Sequence, residues 1–108
     1  MTRKKADVEM TIAKYGSDFL TAVVSVIDAD NGEPLKLTKR SFKAMAVQKP
    51  NGWATYDTLT VGGVHKPTPG IHVFALTGFS QGVPPGPYAI AVTVTGAWQG
   101  QAIAKLQI

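Results

Sequence analysis

The sequence predicts one all-β domain with a two-sheet sandwich core of about seven antiparallel strands. Three observations carry this expectation. Apolar residues recur at every second position in a series of short runs, the mark of half-buried strands. Clusters of Gly, Pro, Asn and Asp separate those runs, and no ten-residue window has helical periodicity. The 108 residues fit a single domain.

The strands follow in order. Val8, Met10 and Ile12 share one face of the first, with Glu9 and Thr11 opposite. Lys14 to Asp18 reads as a turn, and Leu20, Ala22, Val24 and Val26 mark the second strand. Asp28-Ala29-Asp30-Asn31-Gly32 ends it, because Asp and Asn cap their own backbone and Gly tolerates positive φ. Glu33 to Arg40 crosses over as a loop. Ser41 to Gln48 is the third strand, with Phe42, Ala44 and Ala46 on one face. Pro50-Asn51-Gly52 turns into a fourth strand, Trp53 to Val61. An irregular stretch between Gly62 and Gly70 leads to the fifth, Ile71 to Leu76. After a turn-rich loop over 78–87, Tyr88, Ile90, Val92 and Val94 alternate with Ala89, Ala91, Thr93 and Thr95 in the sixth. Gly96 turns the chain into the last strand, Trp98 to Ile108.

Hydrophobic residues make up 44% of the chain and charged residues 17%, so a core is affordable without staples but charges for solvation are few. The absence of cysteine excludes disulfides and thiolate metal sites. Met1 to Asp7 starts basic but is followed by no apolar stretch, and no run approaches a membrane span. The expected organisation is a flexible basic tail over 1–5 and one domain over 6–108, either cytoplasmic or an exported segment without its signal.

The passage Val24-Ser-Val-Ile-Asp-Ala-Asp-Asn-Gly-Glu-Pro-Leu35 resembles one common in bacterial immunoglobulin-like domains, and Gly86-Pro-Tyr88-Ala-Ile-Ala-Val-Thr-Val94 is similar to their penultimate strand. The resemblance, shared with fibronectin-III-like sandwiches, implies a two-sheet fold in which Tyr88 serves as a tyrosine corner. The chain departs from antibody-type domains by lacking both cysteines. The likeness speaks for a fold, not for an activity.

No set of residues has the pattern of a catalytic centre. His65, His72 and Asp57 are the sole candidates for a His-carboxylate site, and a structural metal needs more ligands than these. Asp28, Asp30, Asn31 and Glu33 form an oxygen-rich loop that could hold calcium, but its spacing is wrong for an EF-hand and suits an ordinary turn. No phosphate-cradling glycine pattern or nucleophile elbow occurs. The expectation is therefore a non-enzyme without cofactor or metal. Basic residues cluster at Arg3, Lys4 and Lys5 and again at Lys36, Lys39, Arg40 and Lys43, but interspersed acids argue against nucleic acid. Trp53, Tyr56 and Trp98 could form a carbohydrate-stacking platform, or could simply fill a core.

The net charge of +4 is unevenly spread: beyond Pro67, Lys105 is the sole charged residue. A monomer normally protects exposed strands with charges. A neutral half built of small and polar uncharged residues has the composition of a covered surface. Phe79, Val83, Ala89, Ala91, Thr93, Gln99 and Gln101 are the residues expected to meet another subunit or partner chain. The functional expectation is an interaction module within a larger assembly, with carbohydrate binding as the alternative.

Overall fold

The computed structural model describes residues 4–15, 19–48, 57–78 and 85–108. Seven strands follow one another: β1 (Lys4–Tyr15), β2 (Phe19–Asp28), β3 (Phe42–Gln48), β4 (Asp57–Val61), β5 (Ile71–Thr77), β6 (Pro87–Val94) and β7 (Trp98–Gln107). One 3-10 turn, Lys39–Ser41, precedes β3. The chain is all-β, as the alternation predicts.

The strands close into a ring in the order β1-β2-β5-β4-β3-β6-β7. The hairpin β1–β2 pairs from Ala6–Asp28 to Tyr15–Phe19, and β6–β7 from Pro87–Gln107 to Val94–Gly100. β2 pairs with β5, and β3 with both β4 and β6, all antiparallel. Two joins are short. β4 meets β5 at Thr60–Thr77 and Val61–Leu76, and β1 meets β7 at Lys4–Trp98 and Lys5–Gln99. The second join is parallel, a departure from the wholly antiparallel arrangement expected.

Lys4 and Lys5 correct the expected tail boundary. Both belong to β1 and make the closing pairs, and the Lys4 backbone N–H also donates to the Ala97 carbonyl at 3.1 Å. Their long side chains disguise a strand, because only backbone groups are needed for this pairing. Gly100 lies where β7 passes close to β1: a Cβ there would sit 2.6 Å from the Ala6 carbonyl oxygen.

Alternation sorts the side chains as period two requires. Leu20, Ala22, Val24 and Val26 of β2 face Tyr88, Ile90, Val92 and Val94 of β6 across one core, joined by Phe42, Ala44, Ala46, Leu59, Phe74 and Leu76. The Phe42 and Phe74 ring centroids are 5.1 Å apart in a tilted pair. The crossover after β2 is tied down by backbone bonds from Leu35 N–H to the Val26 carbonyl and from Asp28 N–H to the Glu33 carbonyl. Leu37, within it, is buried.

Candidate functional site

His72 is fully buried, while His65 is exposed and its backbone bridges Val73 on the adjoining strand. Bridged residues share a face and neighbours along a strand do not, so the two histidines lie on opposite sides of the sheet. They do not converge. The Asp57 side chain lies outside the described residues.

The environment of His72 accounts for its burial. Its Nε2 accepts the Leu37 N–H at 3.0 Å, which leaves the proton of the neutral ring on Nδ1, facing the Val24 carbonyl at 3.4 Å. The ring meets Phe42 edge-on, with centroids 5.2 Å apart. Burial holds the imidazole below its ordinary value of 6.5; the Val24 and Gly70 carbonyls oppose this, and Lys66 adds to it. His72 therefore acts as a neutral tie between the crossover and the β2–β5 sheet. The sequence marks its strand but not its partners, which lie 35 and 48 residues away.

Two side-chain oxygens of the Asp28–Glu33 loop bond locally. Asp28 Oδ1 accepts the Asp30 N–H at 2.8 Å and Asn31 Oδ1 accepts the Glu33 N–H at 2.9 Å, with Gly32 at φ 74°. These are the self-capping bonds of an Asx turn. Among the described residues no group of three or more His, Asp or Glu is placed to hold a metal ion.

Trp53 and Tyr56 of the expected carbohydrate platform lie outside the described residues. Trp98 is half-buried against the core, and the Lys4 ammonium stands 5.6 Å from its ring centroid. Lys36, Lys39, Arg40 and Lys43 are all exposed. The phenyl rings of Phe42 and Phe74 and the ring of Tyr88 are buried, so these three offer no stacking surface beside the cations.

The outer face of β4-β3-β6-β7 gathers most of the expected contact residues. The register sets Thr58, Met45, Ala91 and Ile103 side by side in one row. The next row is Lys43, Thr93 and Gln101, in which Gln101 Nε2 donates to Thr93 Oγ1 at 3.2 Å. On the other side Ala89 lies beside Lys105. Ala89 and Ala91 take outward positions by register, as the alternation predicts, but are only 6% and 2% exposed. Larger neighbours on β3 and β7 shade these small side chains. The open apolar surface belongs instead to Met45, 37% exposed, and Ile103, 58% exposed. Thr93 is half-buried, and Gln99 and Gln101 are exposed. Phe79 and Val83 lie outside the described residues.

Sequence reasoning missed Met45 and Ile103. The signal was present in each strand's parity, which sets Met45 opposite Phe42 and Ala44, and Ile103 opposite Ala102. Their adjacency depends on the order of strands, which no local pattern contains. A second exposed apolar side chain group lies around the ring. Val23, 38% exposed, sits between Thr11 and Val73 on the outer face of β1-β2-β5, with Glu9 and Asp7 in the following rows. A shallow groove lined by Glu9, Thr11, Val23, Gln101 and Ile103 crosses the seam between β1 and β7.

Comparison with protein families, curated proteins and solved structures finds no match to the chain.

Proposed function

We propose that the chain is a non-catalytic, immunoglobulin-like module that works through protein–protein contact, as a subunit or accessory domain of a larger assembly. The row Met45–Ala91–Ile103 carries this reading. Met45 and Ile103 are two of the three large hydrophobic side chains exposed among the described residues, and they share one row of one face. Single exposed apolar residues are ordinary, whereas two large ones sharing one row of a sheet face favour an interaction surface.

The two-sheet reading is favoured by the two short joins in the ring. Each consists of two residue pairs, and between them the strands fall into a β1-β2-β5 group and a β4-β3-β6-β7 group. The extents of 41 × 28 × 20 Å suit a flattened ring rather than a round one.

The test is the size of the protein after chemical cross-linking inside its own cells. Wild-type chain is expected to run well above its 11.4 kDa, and Ile103→Lys at the monomer position. Both running as monomers would sink the reading.

A further inference from the structure

We infer that the occupant of the Met45–Ile103 face is a second copy of this chain, docked through the outer face of its β1-β2-β5 strands. This rests on the reading of the protein as a contact module. It names the partner and the surface that partner supplies.

The three exposed large hydrophobics among the described residues divide between the two faces. Met45 and Ile103 are on one and Val23 is on the other. Each apolar row has charges beside it, and the signs are opposite. Lys43 and Lys105 lie one row to either side of Ala91, and no acidic side chain is described on that face. Next to the Thr11–Val23–Val73 row lies Glu9, paired with Ser25, and then Asp7, paired with Ile27. Lys5 also points outward from β1, but it lies a further row beyond Asp7, at the end of the strand. Two copies meeting through the same face would set lysine against lysine, or carboxylate against carboxylate. Setting one face on the other instead buries Met45 and Ile103 against Val23 and Val73 and, because Glu9 and Asp7 lie on the same side of the Val23 row, brings the lysine on that side, Lys43 or Lys105, to them. Opposite potentials across a contact steer encounter and fix register.

The size of the faces sets the strength. Four strands of 5 to 10 residues, spaced by about 4.8 Å, present about 500 Å², and the three-strand face somewhat less. A contact burying about 1,000 Å² in total lies at the lower limit of specific interfaces, so the association is weak and depends on concentration and salt. A contact between unlike faces either closes a ring or propagates as a chain. The two faces adjoin at the groove between β1 and β7, where Val23 and Ile103 line the same depression.

Sedimentation velocity of the full chain at low ionic strength tests this, across protein concentrations up to about 1 mM, where weak complexes become populated. Wild type is expected to self-associate, and added salt to reverse it. The double variants Lys43→Glu/Lys105→Glu and Asp7→Lys/Glu9→Lys are each expected to raise the dissociation constant by at least about tenfold. Mixed together, the two variants are expected to associate again, since each then offers the other complementary faces. That recovery also shows that both are folded. A wild type that stays monomeric throughout overturns the inference. So does association that either double variant leaves intact, or a mixture that fails to recover. A monomeric chain that is nonetheless part of a larger complex in its own cells defeats the second copy as occupant while leaving the contact module standing.

Discussion

Replacing Gly100 by alanine should open the ring where β7 passes β1. The added Cβ would lie 2.6 Å from the Ala6 carbonyl oxygen and 2.8 Å from Val8 Cγ2, against about 3.4 Å for ordinary contact. The valine methyl can rotate away. The carbonyl cannot, because Ala6 is flanked by the Lys5–Gln99 pair on one side and held to Asp28 on the other. The overlap of about 0.8 Å must therefore be relieved by moving β1. Overpacking of this kind costs about 1–3 kcal/mol, partly offset by about 0.4–1 kcal/mol because alanine restricts the unfolded chain. In a domain this small, each kcal/mol lost lowers Tm by about 4–8 °C. Urea unfolding followed by tryptophan fluorescence measures the difference. Gly63→Ala is the control, since nothing lies within 4 Å of its Cβ position and its φ is not positive. That variant should equal or slightly exceed wild type. If Gly100→Ala proves as stable as Gly63→Ala, β1 does not lie against β7 and the closed ring is wrong.

Stability should fall as pH drops below about 6.5, the ordinary value from which burial lowers His72. Above it the imidazole is neutral in both states; below it the unfolded chain takes up a proton that the folded chain resists, until the lowered folded value is reached. Urea midpoints from about pH 7.5 to about pH 5 check this, and His72→Gln should show a shallower slope over the same range; parallel slopes would refute the assignment. Core and face should separate by stability. Ile90→Val, at a fully buried site, should cost about 0.5–1.5 kcal/mol, while Ile103→Lys on the open face should change it by no more than about 0.5 kcal/mol. Chemical denaturation decides between these, and a large loss at Ile103 would make it a core residue. Asp28→Ala should cost about 0.5–1.5 kcal/mol, because the Asp30 N–H loses the carboxylate that caps it. An unchanged midpoint would show that the turn holds without that bond.

What the sequence made legible was local. Tyr88 to Val94 and Leu20 to Val26 alternate cleanly because one face is core, and the structure places those faces as read. The Asp28–Gly32 turn was legible because its bonds span two residues. Pairing between distant strands was not. Lys4 and Lys5 close the ring against Trp98 and Gln99, more than ninety positions along the chain. Ala91 was correctly put on the outer face, yet its burial depends on Met45 and Ile103, which reach it only through the ladders of β3 and β7. The same gap hid His72, whose partners Leu37 and Val24 come from the crossover and from β2. Alternation assigns a side chain to a face; the identity of its neighbours follows from topology.

The central claim is that the Met45–Ile103 face meets another protein. A photo-reactive residue at position 103, compared in the native cell with the same residue at exposed Asp30 in the turn after β2, tests it directly. The account predicts a protein adduct of defined mass at position 103 and none of that mass at position 30. Equal, diffuse labelling at both positions, or no adduct at position 103, would contradict it.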